Sequence, residues 1–137
     1  MFDAKVTIYS QQVRALNLVY SLHETNRLKK DTSVAIIGAG IAGLTAAAGA
    51  ACLGAKVTLF EKSSRPFALI GNSTKRWLHP HVYEWPMEDP DLPHPLDPNA
   101  GLPIMNWKSG SVADVRAQLF NEYKRIEQQF RINPPKT

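Results

Sequence analysis

A glycine-rich turn and an acid that follows it are the residues of this chain whose types and spacing point to chemistry. Residues 38–43 read GAGIAG and directly follow the apolar run 34–37. Glu61 closes a second apolar run, residues 57–60. A strand, a tight glycine turn, a helix and a second strand ending in an acid together form a βαβ unit that binds dinucleotides. The sequence therefore predicts such a unit over residues 33–65.

Each glycine of the motif has a separate physical task. Gly38 allows a sharp turn out of the strand, where a Cβ would clash. Gly40 lets the backbone approach a pyrophosphate, and Gly43 lets the following helix pack closely on the strands. That helix, predicted over residues 41–53, directs free N–H groups and the positive end of its dipole at the phosphates. The predicted cofactor-binding residues of this turn are Gly38, Ala39, Gly40, Ile41, Ala42 and Gly43.

Glu61 indicates which kind of ribose the nucleotide has. A carboxylate at the end of the second strand accepts hydrogen bonds from a ribose 2′-hydroxyl and repels a 2′-phosphate. This chemistry favours FAD or NAD over NADP. Lys62 and Arg65 follow closely and are the cations that would neutralise a phosphate there. Both are therefore included among the candidate cofactor-binding residues.

Residues 33–65 resemble the N-terminal FAD-binding region of FAD-dependent oxidoreductases, a group that includes flavin amine oxidases, amino-acid oxidases and flavin monooxygenases. The resemblance is carried by VAIIGAGIAGLTAA at residues 34–47 and GAKVTLFEK at residues 54–62. It implies phosphate contacts at the three glycines, a ribose contact at Glu61, and FAD as the cofactor. Members of the family often continue with an arginine and two glycines. Arg65 fits that pattern, whereas the letters PFA follow it in place of the glycines.

The resemblance also implies a reaction in which the substrate, an amine or amino acid being the candidate, gives a hydride to the flavin. The flavin itself takes the hydride, and the protein orients and tunes it. No Ser/His/Asp or Cys/His arrangement is recognisable, so no catalytic residue is assigned. In the resembling families the segment after the acid often passes close to the flavin. Residues 72–77, NSTKRW, are therefore candidates for contacts with the ligand.

Two other functions remain open at this point. The same βαβ unit serves NAD, so the chain could be an NAD-binding module, enzymatic or regulatory. It could also be a non-catalytic small subunit that completes a larger flavoprotein, because its 137 residues are fewer than such oxidoreductases have. In that case a larger protein chain is the expected partner, and the FAD-binding domain here is incomplete.

The predicted fold class is α/β: a Rossmann-like unit with flanking helices and a proline-rich irregular segment. We divide the chain into an N-terminal strand and helix extension (1–32), the nucleotide unit (33–65), a proline- and aromatic-rich loop segment (66–110), and an amphipathic helix with a C-terminal tail (111–137). Proline lacks the N–H that regular elements need, and seven of the ten prolines lie between Pro80 and Pro103.

Secondary structure is also predicted for the segments on either side of the nucleotide unit. A short strand is predicted over residues 5–9, followed by a helix over residues 11–28 that Ser10 caps. Ser111 is predicted to cap a second helix that extends to Arg131 and bears one continuous apolar stripe. The tail, residues 133–137, contains paired prolines and is interpreted as a linker. Within the glycine-motif helix, Cys52 is predicted to be a small core residue.

Composition argues against several other classes of function. The net charge of +4 is scattered, and no basic stripe interleaved with aromatics indicates nucleic-acid binding. No apolar run has the length of a membrane span, and the N-terminus lacks a signal-peptide pattern, so a cytoplasmic location is expected. His79 and His81 form an H-x-H pair, but no closed set of metal ligands can be named around them. No metal site is therefore predicted.

Overall fold

The computed structural model describes residues 7–62, 73–81, 97–130 and 132–136. Within these ranges the chain forms three helices and five strands. In chain order the elements are α1 (Ile8–Glu24), β1 (Ser33–Ile37), α2 (Ile41–Cys52), β2 (Lys56–Phe60), β3 (Trp77–Leu78), β4 (Gly110–Ser111), α3 (Val112–Gln129) and β5 (Ile132–Lys136). The mixed α/β class expected from the sequence is confirmed. No helix within these ranges has the length and apolar character needed to cross a membrane.

The nucleotide unit is built on a parallel sheet with the strand order β1-β2-β5. β1 and β2 pair in register from Ser33 opposite Lys56 to Ile37 opposite Phe60. The connections from β1 to β2 through α2 and from β2 to β5 through α3 move across the sheet in the same direction. Because crossovers between parallel strands are right-handed, both helices lie on the same face of the sheet. The predicted Rossmann-like unit is therefore present.

The core lies between this sheet and the two helices packed on it. Small residues of α2, with Ala47, Ala48 and Ala51 almost fully buried, bring the helix close to Val57 and Leu59 of β2. The apolar stripe predicted on the last helix is confirmed, since α3 buries one continuous face. Its buried side chains are Val112, Val115, Leu119, Tyr123 and Ile126.

α1 forms a third layer and begins earlier than predicted. Its N-cap is Thr7, and Thr7 and Ser10 exchange hydrogen bonds in a capping box, with Ser10 N donating to Thr7 Oγ1 at 3.0 Å. The strand expected over residues 5–9 is wrong for Ile8 and Tyr9, which form the first helical turn, because the reciprocal cap outweighs their β propensity. Residues 5 and 6 lie outside the described ranges. The helix ends at Glu24 rather than near residue 28.

The C-terminal tail is a strand, and its interpretation as a linker is wrong. Residues Ile132–Lys136 pair in parallel with β2, and the register shifts between Thr58 and Phe60. The paired prolines are compatible with this position because β5 is the outer strand of the sheet, and prolines are tolerated at edges and irregularities where a missing N–H costs no ladder bond. Ser111, by contrast, caps α3 as predicted, its side chain accepting from Asp114 N.

The proline-rich segment contributes to the core where the structure describes it. Trp107 is buried, and its Nε1 donates to Gln12 Oε1 at 2.9 Å. Gln12 Nε2 in turn donates to the carbonyl of Met105 at 2.8 Å. This buried network fastens α1 to a loop more than ninety residues further along the chain. The other two tryptophans differ, because Trp77 is exposed and Trp85 lies outside the described ranges.

Replacement of Gln12 by leucine is expected to lower the free energy of unfolding by about 1–3 kcal/mol, the cost of leaving buried polar partners unpaired. The affected groups are the Trp107 N–H and the Met105 carbonyl. Urea unfolding would measure the change. The matched control is Asn17→Leu on the exposed side of α1, expected to stay within about 0.5 kcal/mol of the unsubstituted chain. Equal stability of the two variants would contradict a structural role for the network.

Cys52 also differs from the sequence prediction. It ends α2 and is exposed rather than part of the core. The reason is its position on the helix, since the small residues that face the strands lie earlier, at Ala47, Ala48 and Ala51. Partial burial nevertheless raises the pKa of its thiol above the ordinary value.

Candidate functional site

The glycine turn leaves the end of β1 as an open backbone surface. Gly38 has a φ of +100°, a conformation that a side chain rarely adopts. A Cβ at Gly38 or at Gly40 would find no heavy atom within 4 Å. The clash expected for a side chain at Gly38 is therefore wrong, and glycine is favoured there by the positive φ alone. The Gly38 N–H donates to the carbonyl of Phe60 at 2.7 Å, which ties the turn to the end of β2. The turn is therefore fixed in position, and its backbone is open at Gly38 and Gly40.

Gly43 allows α2 to pack closely on the end of β1, as the motif predicted, and does not form part of the open backbone surface. A Cβ placed there would lie 1.9 Å from the carbonyl oxygen of Gly38 and 3.6 Å from Ile36 Cγ2. The first turn of α2 consequently presses directly on the chain where it leaves β1. This close approach fixes the direction in which the helix points and confirms the packing role of Gly43.

The N-terminus of α2 is suited to an anion. Its N-cap, Gly40, has no side chain that could accept from the amides of the first turn, and that turn contains no acidic residue. The positive end of the helix dipole and the first-turn N–H groups therefore face the glycine turn without an internal carboxylate. Gly40 and Ala42 are exposed on this side, whereas Ala39 and Ile41 are buried.

Glu61 points into the turn from the end of β2. Its Oε2 accepts a hydrogen bond from the N–H of Ala39 at 2.5 Å, and its side chain is half-buried. The carboxylate and the glycine turn, 22 positions apart in the chain, thus meet at one edge of the sheet. The contact with the Ala39 amide was missed by sequence reasoning. No local signal encodes it, because it depends on the pairing of β1 with β2.

Other candidates from the sequence lie elsewhere. Lys62 is exposed directly after the acid, and Arg65 lies outside the described ranges, as do the residues that replace the glycine pair. The backbone carbonyls of Ser73 and Arg76 accept from Ala113 N and Val112 N, so this segment closes the N-terminus of α3. Its contact with a ligand stays a prediction.

The H-x-H pair hydrogen-bonds locally. His81 N donates to His79 Nδ1 at 3.1 Å, and His81 Nε2 lies 2.8 Å from the carbonyl oxygen of Asn99. The ring of Tyr9 packs edge-on against His81. Among the described residues no group of three or more histidine, cysteine or acidic side chains could hold a metal ion. The nearby acids Asp89 and Asp91, and His94, lie outside those ranges.

Comparison with known proteins agrees with this geometry. A family model described as FAD dependent oxidoreductase matches residues 33–136, well over half of the chain. The match begins at the first residue of β1 and extends through β5, so it includes the glycine turn, Glu61 and the third parallel strand. No curated protein and no solved structure gives a significant match. The resemblance found in the sequence is thereby confirmed.

Proposed function

Because the chain belongs to the FAD-dependent oxidoreductases, we propose that it binds the ADP part of FAD at the glycine turn and contributes this site to a flavin-dependent oxidation. The observation that carries the proposal is the meeting of an open turn and a carboxylate at the same edge of the sheet. A phosphate needs the open backbone, and a ribose needs the acceptor.

The pyrophosphate fits the segment from Gly38 to Gly43. The space beside Gly38 and Gly40 would be filled by any Cβ, and the uncompensated end of α2 favours negative charge. In this proposal the amides of Ile41 and Ala42 complete the phosphate cradle, because the Ala39 N–H already donates to Glu61. Lys62 and Arg65, which follow Glu61 in the sequence, supply positive charge that would neutralise phosphate.

The ribose fits beside Glu61. Its carboxylate is already held at the turn through Ala39 N, so it is oriented before the nucleotide arrives. A ribose hydroxyl would donate to this group, and its negative charge would repel a 2′-phosphate. A bound flavin would accept a hydride from the substrate. The residues of this chain bind and orient the nucleotide, and an amine or amino acid is the proposed substrate class.

A direct measurement tests the identity of the cofactor. The chain is purified without added nucleotide, and the small molecules that it releases on denaturation are identified by their absorption spectrum and mass. FAD in a stoichiometric amount supports the proposal. A colourless chain that binds NAD but not FAD in titration calorimetry would replace FAD by NAD as its ligand.

Glu61→Ala is expected to weaken FAD binding by about 1–3 kcal/mol, the range for losing a charged hydrogen-bond partner. That loss corresponds to a Kd raised about 5- to 150-fold, which titration calorimetry would measure. Glu61→Gln keeps an acceptor for Ala39 N and is expected to lose less. Glu24→Ala, an exposed acid at the end of α1, is the matched control and should leave the Kd unchanged. An unaltered Kd for Glu61→Ala would remove this residue from the site.

A larger protein chain that completes the flavoprotein belongs to the same proposal. The described sheet has three parallel strands, whereas doubly wound nucleotide-binding sheets continue beyond the strand that carries the glycine turn. A cytoplasmic location and the four-part division of the chain stay predictions from sequence.

A further inference from the structure

Two histidines directly after β3 form a turn that joins three separate parts of the chain. The backbone N–H of His81 donates to Nδ1 of His79 at 3.1 Å. The ring of His81 reaches the carbonyl oxygen of Asn99 through Nε2 at 2.8 Å, and it packs edge-on against the ring of Tyr9. The turn therefore fastens the end of segment 73–81 to α1 and to the loop before β4.

These hydrogen bonds fix the proton positions on both rings. Because Nδ1 of His79 accepts from an amide, it carries no proton, and the neutral ring has its proton on Nε2. Nε2 of His81 carries a proton as well, because the carbonyl oxygen that it contacts can only accept. His79 is therefore held as a neutral acceptor, whereas His81 is held as a donor.

The two rings differ in what a further proton would do. A proton added to His81 goes to Nδ1 and leaves the bond from Nε2 to Asn99 intact. A proton added to His79 also goes to Nδ1, where the new N–H would oppose the N–H of His81. Two donors would then face each other in place of a hydrogen bond, so the turn requires the neutral form of His79.

The described surroundings of His79 do not stabilise a positive charge on its ring. Nε2 is buried, and none of the described residues accepts a hydrogen bond from it. No ion pair involves this ring within the described ranges. The titratable and charged groups on the neighbouring elements are Tyr9 of α1, His81 and Arg76 of the same segment, Asp97 and Lys108 of the loop, and Asp114 of α3. Because a buried charge without partners is costly, protonation is expected to break the turn.

We propose that the turn from His79 to His81 is a pH-sensitive latch, closed while His79 is neutral and opened when His79 takes up a proton. Histidine is the side chain whose charge ordinarily changes between about pH 5 and pH 8. As the pH falls through this range, the amide of His81 loses its acceptor, and the contacts of its ring with Asn99 and Tyr9 weaken. The end of segment 73–81 is then released from α1 and from the loop before β4.

The latch lies next to the contacts that close the N-terminus of α3. The carbonyl of Arg76 accepts from Val112 N at 2.9 Å, and Trp77 of β3 pairs with Ser111. Both contacts come from residues just before the latch, so its opening is expected to loosen β3 and the cap of α3. This inference goes beyond the proposed function, because it depends neither on FAD nor on the glycine turn.

Nuclear magnetic resonance of the isotopically labelled, unsubstituted chain tests the latch. Long-range nitrogen–proton spectra identify which ring nitrogen of His79 carries the proton, and amide exchange measures the protection of the His81 N–H. The proton is expected on Nε2 at about pH 8. Between about pH 8 and pH 5 the protection factor of His81 is expected to fall about fivefold or more, the scale of one lost hydrogen bond. A proton on Nδ1 at the higher pH, or a constant protection factor, would overturn the proposal.

His79→Asn separates the titration of this ring from other effects of pH. The Oδ1 of asparagine accepts from the amide two residues further on, as in an Asx turn, and it takes up no proton in this range. The fall in His81 protection is therefore expected to shrink to less than about twofold between about pH 8 and pH 5.

His23→Gln is the matched control, because it removes an exposed histidine at the end of α1. This variant is expected to keep the full fall in His81 protection. An equal fall in His79→Asn and in the unsubstituted chain would show that His79 is not the titrating group, and a fall that disappears in His23→Gln would assign the effect to α1. Either result would overturn the proposal.

Discussion

Gly43→Ala is expected to destabilise the fold by about 3 kcal/mol, the upper part of the usual range for overpacking, because among the described glycines its added Cβ would make the shortest contact. The new Cβ would lie 1.9 Å from the backbone carbonyl oxygen of Gly38, and backbone atoms cannot rotate away as a side chain can. Either α2 moves off the end of β1 or the turn distorts. Urea unfolding followed by far-UV circular dichroism measures the loss.

Gly40→Ala is the control for this experiment. It adds the same methyl group three residues earlier in the motif, where no atom lies within 4 Å. Its expected cost is about 1 kcal/mol or less, from the poorer N-cap preference of alanine. If the Gly43 variant were as stable as the Gly40 variant, the close packing of α2 on the strand exit would be refuted.

Gly40→Val is expected to fold and to lose detectable FAD binding. The backbone at Gly40 is extended, with φ −81° and ψ −174°, which a β-branched residue adopts readily. Its side chain would project into the open space beside the turn, where the pyrophosphate must approach the backbone. Titration calorimetry with FAD measures the binding, and urea unfolding of the same preparation verifies the fold.

The contrast between the two glycines is what makes the phosphate assignment testable. Gly43→Ala is expected to lose stability and, as a consequence, binding, whereas Gly40→Val loses binding alone. Gly40→Ala should fall between the unsubstituted chain and Gly40→Val in affinity, because its side chain is smaller. A Gly40→Val variant that binds FAD as tightly as the unsubstituted chain would show that the phosphates lie elsewhere.

The sequence by itself determined the parts of this protein whose cause is local. The strand, glycine turn, helix and second strand follow from spacing and from the special properties of glycine, and the family match confirms the unit. Ser111 was recognisable as a cap because the capping hydrogen bond reaches only three residues along the chain. The apolar stripe of α3 follows from helical periodicity alone.

Only the tertiary structure decided the features that join distant parts of the chain. Residues 132–136 form a strand because β2 offers them a pairing edge, although paired prolines argue locally against regular structure. The bond from Ala39 N to Glu61, and that from Trp107 to Gln12, link residues 22 and 95 positions apart. Periodicity and spacing describe neighbours in sequence, whereas sheet pairing and crossover direction decide which residues meet and which face of the sheet stays open.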